Sequence, residues 1–108
     1  MSVSLPDPVA AYFEASNQAD IDRLASCFTP DATVYDEGRT HRGRAAIAAW
    51  QTDARKKFQF SAEPLEASRD GNRVAVAANV VGNFPGSPVE LEHVFLLADD
   101  KIQSLEIR

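Results

Sequence analysis

At 108 residues the chain has room for one hydrophobic core, and 11 Lys and Arg against 16 Asp and Glu leave a net charge of -5, which repels phosphate backbones. A second independent domain is excluded, and nucleic acid is not the expected partner. With 44% hydrophobic and 25% charged residues the composition is that of an ordinary folded domain, and no apolar run approaches the roughly 20 residues that span a bilayer. Cys27 is the single cysteine, so no internal disulfide forms. The start, Met1-Ser2-Val3-Ser4-Leu5-Pro6, lacks the basic and apolar regions of a secretory signal, so a cytoplasmic location with no membrane partner is expected.

Asp7-Pro8 reads as an N-cap followed by the first helical position, after which Val9, Tyr12, Phe13 and Ser16 recur at i, i+3, i+4 and i+7. This predicts a short amphipathic helix ending near Asn17. Asp20 then caps a second helix with apolar positions at Ile21, Leu24, Ala25 and Phe28, stopped by Thr29-Pro30-Asp31. The next run, Ala32-Thr33-Val34-Tyr35-Asp36-Glu37-Gly38, reads as a strand. Side chains alternate along it, so Asp36 shares a face with Ala32 and Val34 while Tyr35 points away. Burial on that face disfavours the charged carboxylate and makes Asp36 a candidate general base. The competing reading pairs Asp36 with Arg39 or Arg42, which would lower its pKa.

Gly38-Arg39-Thr40 separates this strand from a short segment at His41-Arg42, and Gly43 precedes an alanine-rich helix from about Arg44 to Lys57. Ile47, Trp50 and Ala54 form its apolar stripe, and Arg55, Lys56 and Lys57 complement the negative end of its dipole. Four strands follow: Phe58 to Ser68, Arg73 to Asn83, Val89 to Ala98, and Ile102 to Ile107. Their turns, at Asp70-Gly71-Asn72, Pro85-Gly86-Ser87-Pro88 and Asp99-Asp100, are too short for crossover helices, so antiparallel hairpins are expected. In the third of these strands Val94 and Leu96 lie on one face and Leu91, Phe95 and Leu97 on the other. Both faces are apolar, and the helices of so small a domain cover only one, so a homodimer through the uncovered, convex face is expected.

Trp50, Phe58 and Phe60 offer a flat apolar wall suited to a ring-shaped ligand. His41 becomes a second acid/base group if its segment forms a hairpin with the Asp36 strand. His93 is expected at the subunit interface, and Cys27 in the core. No HExxH, CxxC or phosphate-loop spacing occurs, so neither a metal nor a cofactor is expected.

The segments Tyr12-Phe13-Glu14-Ala15-Ser16-Asn17-Gln18-Ala19-Asp20-Ile21-Asp22, Phe28-Thr29-Pro30-Asp31-Ala32-Thr33-Val34 and Gly43-Arg44-Ala45-Ala46-Ile47 resemble the nuclear transport factor 2-like (NTF2-like) superfamily, and within it the SnoaL-like branch. That resemblance implies an α+β fold over residues 1–108, a cone in which a strongly curved antiparallel or mixed sheet wraps three N-terminal helices. The superfamily includes ketosteroid isomerase and polyketide cyclases alongside non-catalytic binding modules. Likeness to ketosteroid isomerase implies three roles: Asp36 shuttles a proton, Tyr12 hydrogen-bonds the substrate oxygen, and a protonated Glu92 completes the oxyanion hole. Phe13, Val34 and Val94 then join Trp50, Phe58 and Phe60 as the substrate-binding lining. The implied function is a cofactor-independent isomerase or cyclase acting on a small apolar carbonyl compound. The alternative is a non-catalytic module that binds a small ligand or dimerises.

Overall fold

Prolines set the start of the first helix. In the computed structural model, which describes residues 4–108, α1 (Asp7–Asn17) has Pro6 at its N-cap and no side-chain cap. Met1, Ser2 and Val3, part of the N-terminal stretch read above, lie outside the described residues. Asp7 therefore sits one position inside the helix, where its charge meets the positive end of the dipole. α2 (Ile21–Ser26) is capped as expected, Asp20 accepting from the Arg23 amide at 3.2 Å. It ends before Phe28, which instead opens β1 (Phe28–Asp36). Pro30 falls in the irregular stretch between Phe28 and Thr33 where the strand ladder breaks, so its missing N–H costs no regular bond.

β1 turns directly into β2 (Arg39–Arg42) through Glu37 and Gly38, both at positive φ (53° and 74°), the backbone signature of a tight two-residue hairpin. The register follows from it: Asp36 faces Arg39 and Val34 faces His41. Gly43, at φ 90°, then redirects the chain into α3 (Arg44–Lys57), its amide donating to the Ala32 carbonyl at 2.8 Å. A side chain at that φ would be strained, so glycine is what lets α3 turn back over β1.

The remaining strands are β3 (Phe60–Asp70), β4 (Arg73–Gly82), β5 (Val89–Ala98) and β6 (Lys101–Ile107). They join one curved, unclosed sheet in the order β2-β1-β6-β5-β4-β3. Consecutive hairpins are antiparallel, but β1 and β6 pair in parallel, so the sheet is mixed. Three helices and this sheet make the expected α+β cone. Its inner face carries Val34, Val74, Val76, Phe95, Ile102 and Leu105, each 1% exposed or less. The outer face leaves Tyr35 46% and Leu96 43% exposed, which for large apolar side chains is a surplus.

α1 has no basic residue in its last turn, and α3 supplies one. The Arg55 guanidinium lies 3.7 Å over the Phe60 ring, with Nε donating to Gln51 Oε1 at 3.1 Å and Nη2 to Ser16 Oγ at 2.9 Å. Its remaining bonds go to the Ser16 and Phe60 carbonyls. One cation thus closes the C-terminal end of α1, the end of α3 and the start of β3. Arg55→Ala should lower unfolding free energy by about 3 kcal/mol, because several charge-assisted bonds are lost and buried acceptors are left bare. Arg55→Lys should recover only part of that, since an ammonium lacks the planar fork. Urea unfolding of the two variants beside the parent checks both.

Candidate functional site

Asp36 is the last residue of β1, half-buried on the inner face. α3 crosses over it and brings Trp50 within reach, whose indole Nε1 donates to Asp36 Oδ2 at 3.0 Å. A tryptophan N–H in an apolar stripe needs a partner, and this one takes the carboxylate. Desolvation pushes the Asp36 pKa upward, partly offset by the Trp50 hydrogen bond; Glu37 adds to the rise and His41 opposes it. Neither Arg39 nor Arg42 forms an ion pair with Asp36 among the described residues. The carboxyl is therefore held by a neutral donor, which leaves it able to change protonation.

His41 belongs to the same corner. Its strand partner is Val34, so it lies on the inner face diagonal to Asp36, with its ring 6.0 Å from that of Trp50 and inclined at 33°. The hairpin on which an acid/base reading of His41 depends is present. Val34 is fully buried beneath these groups.

Tyr12 of α1 is 3% exposed, and its ring meets Phe13, Phe28 and Phe95 edge-on at 5.2, 6.0 and 5.5 Å. Burial first, then the negative charge of Asp36, moves its phenol far above the ordinary range, while Arg55 pulls the other way. A phenol in that state remains a donor at any working pH. Phe13 is likewise buried at 3% and packs within the same ring cluster, so its place is in the core behind the polar corner.

Other assignments change as well. Glu92 points to the outer face, is exposed, and accepts from Arg108 Nε at 2.9 Å, so it cannot complete an oxyanion hole inside the cone. Val94 lies on the same outer face, opposite Ala75 and Glu106, and does not line the interior. The inner position of β5 belongs to His93, 4% exposed and within 5.3 Å of Phe13 and 6.3 Å of Phe95, so it is a cone residue and is not on the outer face where an interface was expected. Phe60 lies under Arg55, and Phe58 pairs with Phe84 at 6.1 Å; neither belongs to the Asp36–Trp50–His41 corner. Sequence reasoning missed Arg55 and the buried Gln51 as interior groups. The i, i+4 spacing of Gln51 and Arg55 on one helix was the available signal. Among the described residues no group of three or more His, Cys, Asp or Glu side chains is placed to hold a metal ion.

The crystal structure of a candidate polyketide cyclase from Sinorhizobium meliloti (SMa1630) is 47% identical, with TM-score 0.94 over 96% of this chain and 95% of that one. SalBIII, described as an epoxide hydrolase/cyclase-like enzyme with a role in pyran ring formation in the polyether salinomycin, is 28% identical, with TM-score 0.80 over 94% of this chain and 86% of its own. A protein of ketosteroid isomerase-like fold from Catenulispora acidiphila, crystallised with trimethylamine, is 22% identical, with TM-score 0.87 over 97% and 86% of the two chains, a likeness of fold alone. A search of curated proteins returns no match. The sequence profile of the SnoaL-like domain matches residues 9–105, nearly the whole cone, and the chain belongs to that family within the NTF2-like superfamily.

Proposed function

We propose that this protein is a cofactor-independent catalyst of proton transfer or ring closure on a small carbonyl compound. The observation that carries the reading is the half-buried Asp36 carboxyl, raised in pKa by desolvation and aimed by the Trp50 N–H. Oδ2 is occupied by that bond, so the Oδ1 side is the one available to take a proton from the carbon next to the carbonyl. The electron pair moves to the carbonyl oxygen, where the Tyr12 hydroxyl donates to the developing enolate. In isomerisation Asp36 returns the proton to a different carbon. In closure the carbanion attacks a second carbonyl of the same molecule, His41 gives the new alkoxide its proton, and the proton held on Asp36 passes back to His41 through solvent to restore both groups. The likeness to a candidate polyketide cyclase and to SalBIII supports this class of chemistry.

The direct test incubates a panel of small ketones with the protein in D2O and follows loss of the α-hydrogen signals by NMR. Enzyme-dependent exchange in at least one ketone is expected. A ligand that binds at Asp36 without any exchange would favour the binding-module reading instead.

We further propose that two copies pair through the outer face. A 630 Å³ depression there holds Thr33, Tyr35, Val94 and Leu96 together with Arg42, Arg73, Asp31 and Glu106. Its apolar side chains alternate with charges of both signs, Glu106 lying between Tyr35 and Val94, a mixture that suits a two-fold contact because the arginines of one copy can meet the acids of the other. Light scattering should give about twice the 11.8 kDa of one chain, and Tyr35→Glu with Leu96→Glu should halve it. A wild-type mass of one chain would refute the pairing.

A further inference from the structure

His93 takes no part in the chemistry above, yet it sits in the middle of the aromatic lining. It is 4% exposed, its ring stacks at 20° to Phe95, and Phe13 lies 5.3 Å away. Phe13 and Phe95 are also the two rings that flank Tyr12. Tyr12 and His93 thus border one stretch of the cone interior from α1 and from β5.

Chemistry assigns the tautomer. His93 Nδ1 lies 3.3 Å from the Leu91 carbonyl oxygen; a carbonyl only accepts, so Nδ1 carries the hydrogen. Burial keeps the ring neutral, with its pKa lowered to about 4. Nε2 is then a bare acceptor. It has no hydrogen-bond partner among the described residues, and neither has the Tyr12 hydroxyl. No side-chain nitrogen or oxygen among them is both sealed from solvent and unpartnered, so each atom still touches accessible space. A donor and an acceptor, both on residues more than nine-tenths buried, therefore border the same ring cluster with their bonding capacity unused. A ligand that brings a hydroxyl to Nε2 and a carbonyl oxygen to the phenol satisfies both at once.

We propose that His93 is a specificity-determining ligand contact, accepting a hydrogen bond at Nε2 from a hydroxyl of the same molecule whose carbonyl oxygen meets Tyr12. The substrate class is a hydroxylated carbonyl compound rather than a purely apolar ketone. His93 in this state cannot donate to an oxyanion from Nε2, so it is not a replacement for the protonated acid once expected at Glu92. The inference rests on the catalytic reading for the Tyr12 half of the contact and deepens it by naming what the other end of the ligand must carry.

The test uses acetophenone, 3- and 4-hydroxyacetophenone and the corresponding methoxy ethers, titrated into the wild-type protein by calorimetry. At least one hydroxylated probe should bind about tenfold tighter than acetophenone and its own ether, the worth of one well-made buried hydrogen bond. In His93→Phe that preference should vanish, the hydroxylated probe binding no tighter than acetophenone. Long-range ¹H–¹⁵N spectra of the wild type, which need no variant to fold, should show the Nε2 resonance moving with the preferred hydroxylated probe and not with acetophenone. Equal binding of all probes, an unmoved Nε2 signal, or a preference that survives in His93→Phe overturns the inference and leaves the Asp36 chemistry standing. Binding by none of the probes overturns this inference and the interior ligand site together, whereas binding with the predicted preference but without α-hydrogen exchange overturns only the catalytic reading.

Discussion

Asp36→Asn should bind the ketone that exchanges in the wild type with little change in affinity and lose 10² to 10⁴ of the exchange rate, the usual worth of a positioned general base. The substitution is close to isosteric, and the amide oxygen can still accept from Trp50 Nε1, so the hydrogen bond that places the side chain survives. What is removed is basicity alone. The pH dependence has a definite direction: desolvation raises the Asp36 pKa, so the wild-type rate should climb through a midpoint above that of an ordinary aspartate as the carboxyl ionises. Stability moves the other way. The folded state holds the Asp36 proton more tightly than the unfolded state, so stability falls as pH rises from 3.8 through the raised folded value. Asn escapes that loss, and the variant should be as stable as the parent at neutral pH or slightly more so. An Asn variant that exchanges protons at the wild-type rate would end the claim that Asp36 is the base; a loss of rate accompanied by loss of folding would be seen in its unfolding curve.

Acidification from pH 6.5 to 4 should cost the folded state about 3 kcal/mol through His93 alone. In the fold the ring is buried and its pKa drops to about 4, against 6.5 when unfolded. Over that window the unfolded chain binds a proton that the folded chain refuses, so stability is full above pH 6.5, declines as pH falls, and stops declining through this group below about 4. Asp36 opposes the trend within its own window, because its folded pKa is raised. Urea unfolding at half-unit steps of pH measures the sum, and His93→Phe isolates the histidine by flattening the profile. The ring position between Phe13 and Phe95 suits a phenyl group, although the Leu91 carbonyl loses its side-chain donor. A wild-type profile with no acid-side decline that His93→Phe can flatten would mean that the imidazole is protonated inside the cone, contrary to its burial.

Much of this arrangement was legible in the chain. Alternation alone put Asp36 on the face of Ala32 and Val34, because a strand has period two and no tertiary information is needed to say which residues share a side. Gly43 and the alanine-rich run marked α3, whose bounds at Arg44 and Lys57 agree with those expected. The turns at Asp70-Gly71-Asn72 and Asp99-Asp100 placed β4, β5 and β6 to within a residue or so. The end of α2 was misplaced because Phe28 satisfies the helical apolar spacing as well as it satisfies the first strand position, and local pattern does not choose between them.

Period two divides a strand into two faces without saying which is inside. In β5 one set holds Leu91, His93, Phe95 and Leu97, the other Glu92, Val94 and Leu96, and both are apolar enough to be buried. The choice falls to the neighbours: His93 is paired with Val76 and Phe95 with Val74 and Leu105, residues already committed to the helices. That pairing carried His93 inward and turned Glu92 out to Arg108. The contacts of Trp50 with Asp36 and of Arg55 with Ser16 have the same origin, since each spans elements whose relative placement depends on how the sheet curves over α1 and α3. The chain by itself determined which strand face carries Asp36 and where α3 begins and ends. The tertiary structure decided which groups share the interior with it, because that depends on desolvation and packing among segments far apart in sequence.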